Sequence, residues 1–179
     1  MYITPKKKKY KILKNGNFRK YKNSDLPKMI EIFLLFQKEA NVKRFSNIAK
    51  DYNEAFYLAY LKEECRNFPR KYQYSYTIID DDLPVAFFFF DINASLSRSA
   101  NLQFAFKDSR YTLNKEGVKI FSKMLENFKE KHNIDRIYAC LGARDREQSY
   151  IKLVEKKFGA KLVSKDQFNR PIVELYGKK

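Results

Sequence analysis

Arg136-Ile137-Tyr138-Ala139-Cys140-Leu141, then residues 144–157, then Phe158-Gly159-Ala160-Lys161-Leu162, is the stretch whose reading decides the fold. Residues 134–140 are rich in β-branched and aromatic side chains and predict a strand. Residues 146–158 predict a helix, and Gly159 supplies the left-handed residue that ends one. Lys161-Leu162-Val163 and the run 171–176 then predict a closing pair of strands.

Working toward the amino terminus, residues 114–131 predict a long helix with Val118, Phe121, Met124, Leu125 and Phe128 on one side. Leu102-Gln103-Phe104-Ala105-Phe106 alternates as a strand, and the polar run 93–101 reads as a loop. Tyr72–Ile79 is dense in β-formers and Asp80-Asp81-Asp82 reads as a turn. Pro84–Phe90 follows as a strand buried on both faces. Asp51 and Glu54 resemble a capping box for a helix carrying Phe56, Leu58, Leu61 and Cys65, which should stop by Pro69. Ser24 or Asp25 can cap an earlier helix through about Ala40, with Pro27 in its first turn and Phe18–Tyr21 a short strand before it. The predicted order is β-α-α-β-β-β-α-β-α-β-β.

The chain has 179 residues with 37 Lys+Arg against 21 Asp+Glu, a net charge of +16. That length suits one domain with a real core, and 44% hydrophobic residues exclude a disordered chain. No run reaches the roughly 18–20 apolar residues of a membrane span, and Met1–Pro5 leads into lysines rather than a secretion signal. Cys65, Cys140 and the single His132 offer neither a disulfide framework nor zinc-ligand spacing. Lys6, Lys7, Lys8, Lys9, Lys11, Lys14, Arg19, Lys20 and Lys22 fall in the first 22 residues without an acid among them. Such a block repels itself and reads either as an arm for phosphate backbones and acidic surfaces or as a solvated tail. We therefore divide the chain into a basic arm, 1–17, whose contact residues are Lys6, Lys7, Lys8, Lys9, Lys11 and Lys14, and a domain, 18–179.

The element order, the hairpin around Asp80–Pro84 and the stretch 136–162 resemble the GCN5-related N-acetyltransferase (GNAT) superfamily, Phe158-Gly159 looking like its entry to the last hairpin. The resemblance implies a mixed α/β (α+β) three-layer domain, a central twisted mixed sheet flanked by helices. It also implies acetyl-CoA held by Q/R-x-x-G-x-G/A between the fourth strand and the long helix, where glycines let backbone N–H groups approach the pyrophosphate. Residues 107–117 depart from that motif. Starting it at Arg110 puts Leu113 and Lys115 where glycines belong, and taking Gly117 as the first glycine puts Asn114 and Lys119 in the wrong places. Arg110, Lys115 and Gly117 are the cofactor-binding candidates under an active reading. The family's leaving-group tyrosine falls on Glu155 or Val154, with Tyr150 a turn earlier. Asp91 and Glu174 are the available strand carboxylates for a base; His132 reads as a helix-end cation, Cys65 and Cys140 as core, and Tyr72, Tyr74 and Tyr76 as strand formers before base-stacking residues.

Two functions are expected from this. The favoured one is a non-catalytic interaction module with a degenerate acetyl-CoA site and no cofactor, resembling degenerate GNAT-like proteins of tailed bacteriophages. It would be a virion head–neck or tail component, in the virion or host cytoplasm, touching other subunits and lying near nucleic acid through its arm, with no membrane and no metal. The alternative is an acetyl-CoA-dependent N-acetyltransferase with a divergent cofactor loop, marked by splayed fourth and fifth strands. A nucleic-acid-binding accessory protein is a third, weaker reading.

Overall fold

Phe87 and Phe89 project to one side of a sheet and Phe88 and Phe90 to the other, and this one strand organises both halves of the core. The structure, a computed structural model, describes residues 11–40, 54–112, 114–141 and 147–176. Its strands are β1 (Gly16–Lys20), β2 (Tyr74–Asp80), β3 (Leu83–Ile92), β4 (Ser99–Lys107), β5 (Arg136–Cys140), β6 (Ala160–Lys165) and β7 (Pro171–Leu175). Its helices are α1 (Leu26–Ala40), α2 (Glu54–Lys71), α3 (Lys115–His132) and α4 (Glu147–Phe158), with a 3-10 turn at Asn23–Asp25. The seven strands form one mixed sheet in the order β1-β2-β3-β4-β5-β7-β6, and only β4 and β5 run parallel. This is the α+β, helix-flanked mixed sheet that the sequence predicts.

α1 and α2 cover one face, where Met29, Ile32, Phe33, Leu61, Cys65 and Phe68 bury against Phe87, Phe89 and Phe106. α3 and α4 cover the other, where Phe121, Met124, Leu125, Phe128 and Val154 meet Tyr76, Phe90, Ile137 and Val173. Each fully buried aromatic contributes about 1.5–3 kcal/mol, so the phenylalanine-rich β3 carries much of the hydrophobic stabilisation. The turns are built as their residues dictate. Asp81 and Asp82 both take positive φ (47° and 66°), the backbone of a tight two-residue hairpin. Gly159 (φ 58°) ends α4 and Asn133 (φ 53°) ends α3.

Several local expectations need correction. α2 runs through Pro69 to Lys71, because the turn is carried on by Tyr72 N–H donating to the Phe68 carbonyl at 3.1 Å. Tyr72 therefore precedes β2 and packs on Phe68 and Phe89. β4 begins at Ser99, inside the run read as loop, since Ser99–Asn101 pair with β5. Cys140 is exposed rather than core, because its strand turns that face away from α3 and α4. β1 starts at Gly16, and the Lys14 and Asn15 N–H groups both donate to the Asp80 carboxylate at 3.0 Å. Lysines 6–9 and Asp51 of the expected capping box lie outside the described residues.

Candidate functional site

The β4–β5 ladder pairs Ser99 with Arg136, Ala100 with Ile137, Asn101 with Tyr138 and Leu102 with Ala139, and ends there. β4 continues to Lys107. On its other edge Phe89 pairs with Phe104 but Phe90 with Leu102, leaving Gln103 as an extra, bulged residue. A bulge bends its strand and raises its twist. β5 ends at Cys140, and among the described residues no pair of β4 with β5 follows Leu102–Ala139. Alternating polarity located β4, but nothing local in Gln103 announces a bulge.

The chain leaves β4 through residues 108–112 and enters α3 at 114, and the polar groups of these described residues are largely committed to one another. Asp108 is 2% exposed, and its carboxylate accepts from Arg110 N–H at 2.9 Å and from the Arg110 guanidinium at 2.7–3.1 Å. Burial alone pushes the Asp108 carboxyl up, but the Arg110 side chain and N–H outweigh it and hold it below the ordinary range. Arg110 also reaches Glu31 of α1 at 2.6 Å, and Glu31 in turn takes Lys28 at 2.8 Å. Lys107 Nζ donates to the Tyr111 carbonyl at 2.7 Å. Lys11 forms a parallel bridge beside Tyr111, its N–H donating to the Arg110 carbonyl at 2.8 Å and its carbonyl accepting from Thr112 N–H at 2.9 Å.

At the start of α3, Asn114 Oδ1 accepts from Gly117 N–H at 2.9 Å, an N-cap that satisfies a donor a bound anion would otherwise use. Of the three cofactor-binding candidates, Arg110 is thus engaged by two carboxylates, Gly117 is buried in the first turn of α3, and Lys115 is exposed there. Leu113 lies outside the described residues.

The candidates for proton transfer are placed as follows. Val154 is buried in the core, and Glu155 accepts from Leu162 N–H at 3.5 Å. Asp91 accepts from Gln73 N–H at 2.7 Å, which fixes the start of β2. Glu174 is half-buried, opposite Tyr138 on β5 and Lys161 on β6, and takes a hydrogen bond from the Tyr176 hydroxyl. His132 lies in the last turn of α3 with Lys129 and Lys131, as expected. Its ring lies 4.2 Å from that of Tyr74 and 4.8 Å from Phe128, and burial, with Lys131 and Lys20, holds its pKa below the ordinary value. Cys65 is fully buried, and burial pushes its thiol up to about 12. Tyr74 and Tyr76 pack under α3 on Phe128. No cluster of three metal-ligating side chains occurs among the described residues, and no helix among them is long and apolar enough to cross a membrane.

Comparison with solved structures decides the architecture. The PaiA N-acetyltransferase of Thermoplasma acidophilum, determined in complex with coenzyme A, superposes with a TM-score of 0.61 at 17% identity, covering 90% of this chain and 99% of that one. The chain has the GNAT fold. A GNAT-family acetyltransferase of Staphylococcus aureus Mu50 gives a TM-score of 0.59 at 18% identity, over 89% of this chain and 98% of that one. The ribosomal-protein-S18-alanine N-acetyltransferase of Escherichia coli gives 0.56 at 13% identity, over 89% and 92%. No protein-family model and no curated protein sequence matches the chain.

Proposed function

We propose that the chain is an acyl-CoA-dependent N-acetyltransferase with a divergent cofactor loop. The observation that carries this is the likeness of the whole fold to N-acetyltransferases, with the parallel β4–β5 ladder stopping at the Leu102–Ala139 pair. Beyond that pair, residues 103–106 of β4 would offer backbone donors and acceptors to an extended amide-bearing ligand, as in strand addition. The coenzyme would supply the acetyl thioester; the protein's part is to align an amine with it, the proximity term of catalysis. The loop fits the diphosphate less well, because Asn114 already caps Gly117 and Arg110 is held by Asp108 and Glu31. Exposed Lys115, at the positive end of α3, is a cation that would meet it. Val154 is in the core and Glu155 lies on Leu162, so neither position offers the leaving thiolate a phenol.

The same committed loop favours a second reading, a non-catalytic interaction module. In that reading the fold is a scaffold in a larger assembly, a phage virion with its head–neck or tail subunits as partners, and the basic arm lies on acidic protein or near packaged nucleic acid. Titration calorimetry with acetyl-CoA separates the two. Micromolar binding, with thiol release when a primary amine is added, supports the transferase. No heat at millimolar acetyl-CoA overturns it in favour of the module.

A further inference from the structure

Backbone donors in the loop that follows β4 are taken up in two different ways. Arg110 N–H goes to the Asp108 carboxylate at 2.9 Å, Tyr111 N–H to the Asp108 carbonyl at 3.0 Å and Gly117 N–H to Asn114 at 2.9 Å, so each finds its acceptor close by in the chain. Thr112 N–H instead goes to the Lys11 carbonyl at 2.9 Å, an acceptor from the other end of the chain. Lys11 N–H donates in return to the Arg110 carbonyl at 2.8 Å, which lays residue 11 along the loop as a single parallel bridge.

The segment that brings Lys11 there is lightly attached. Lys11, Ile12, Lys14 and Asn15 are exposed, Ile12 at 56%, and Leu13 alone of these five is partly buried, against the core beneath α3. The Lys11 ammonium sits 5.9 Å from the centre of the Tyr111 ring, and the Asn15 side chain donates to Asp81. A further anchor is Asp80 at the end of β2, 8% exposed, whose carboxylate accepts from the Lys14 and Asn15 N–H groups at 3.0 Å. The Tyr111 hydroxyl also bonds to Asp80, so this carboxylate keeps a partner from the loop when the segment moves off. Few buried apolar contacts and solvent-exposed backbone bonds are the marks of an element that opens locally, without global unfolding.

We propose that residues 11–15 are an autoinhibitory strap on the coenzyme loop: in place, the Lys11 carbonyl occupies Thr112 N–H, and withdrawn, it yields that N–H to an anionic oxygen of the coenzyme's diphosphate. The proposal rests on the transferase reading and adds to it a control on affinity. Of the four donors named above, Thr112 N–H is the one that can be freed without breaking a bond within the loop or the first turn of α3. The strap and the diphosphate compete for one hydrogen, so the apparent affinity for coenzyme falls in proportion to the fraction of molecules with the strap open.

The test uses the full chain and two variants of it. Lys11→Pro removes the N–H that bonds the Arg110 carbonyl, and Leu13→Ser removes the packed side chain. In the unaltered protein, hydrogen exchange followed by NMR should show the Thr112 amide exchanging roughly 100-fold faster than the amides of β3. Each variant should speed Thr112 by roughly a further tenfold with β3 unchanged, and calorimetry should show acetyl-CoA bound roughly tenfold more tightly. A Thr112 amide as well protected as those of β3, or variants that bind acetyl-CoA no more tightly than the unaltered protein, overturns the strap and leaves the transferase reading standing. Absence of acetyl-CoA binding by all three proteins overturns the strap and the transferase reading together.

Discussion

Arg110 clasps Asp108 with two nearly parallel hydrogen bonds, Nε to Oδ1 at 2.8 Å and Nη2 to Oδ2 at 2.7 Å, and the same guanidinium reaches across to Glu31. One side chain thereby fixes the loop after β4 and joins it to α1. A glycine-rich loop gets its shape from backbone freedom; this one gets it from an ion pair.

Replacing Arg110 with alanine should therefore destabilise the fold by about 2 kcal/mol, since it strands a buried carboxylate and Arg110 itself is partly exposed. The pH response gives the sign. The Asp108 carboxyl is depressed in the folded protein, so its contribution is present above the unfolded value near about 3.9 and is lost as pH falls through the folded one. R110A should raise the midpoint of acid unfolding, measured by circular dichroism. An unchanged midpoint would mean that the pair contributes nothing.

Tyr76 is 3% exposed, and its hydroxyl has no hydrogen-bond partner. Tyr76→Phe removes that unsatisfied group and keeps the ring contacts with Phe90 and Phe128. Urea unfolding should show a gain of about 1 kcal/mol. A loss would reveal that the hydroxyl holds a bound water.

A methyl group at Gly16 would be driven into Ile120 Cδ1 on α3. Gly16→Ala should cost about 1–2 kcal/mol by forcing Ile120 off its rotamer. Ile120→Val removes that terminal carbon, so the double variant should be more stable than the two single losses added together. Simple additivity in the double-mutant cycle would refute the contact.

His132 has its pKa lowered, first by burial and then by Lys131 and Lys20, so the unfolded chain takes up its proton at a higher pH than the folded one. Stability is full above the unfolded value of about 6.5 and declines as pH falls from there toward the folded value. His132→Phe keeps an aromatic ring against Tyr74 and should flatten the stability profile across that window. Parallel profiles for the two proteins would show that the imidazole does not titrate there.

Asn114→Ala removes the cap on Gly117 and should cost about 1 kcal/mol in thermal unfolding. It also frees a helix N–H, so acetyl-CoA binding, if present, should tighten rather than weaken. Weaker binding would place the Asn114 side chain on the ligand instead.

The elements that sequence alone revealed are those with local causes. The β3 phenylalanines have to alternate across a strand, Gly159 has to end α4, and the aspartates at 81 and 82 suit a tight turn. What stayed hidden depends on residues far apart in the chain. The bulge at Gln103 exists only relative to β3, the clasp of Arg110 needs Glu31, and the environment of His132 needs Tyr74. Pro69 misled for a different reason: a proline bars the bond to the residue four back, but the next turn can still close around it. The missing glycines were legible from residues 107–117, whereas the substitutes for them, an aspartate, an arginine and a capping asparagine, required coordinates.

The bridge from Lys11 to the strip between Arg110 and Thr112 makes the front of the chain a handle on the loop that follows β4. Force applied through residues ahead of Lys11, by a fused tag, a tethered bead or a bound polymer, would peel that bridge before it unzipped any strand of the sheet. Whatever seizes the lysines at the front would then tug directly on the loop beside the crevice.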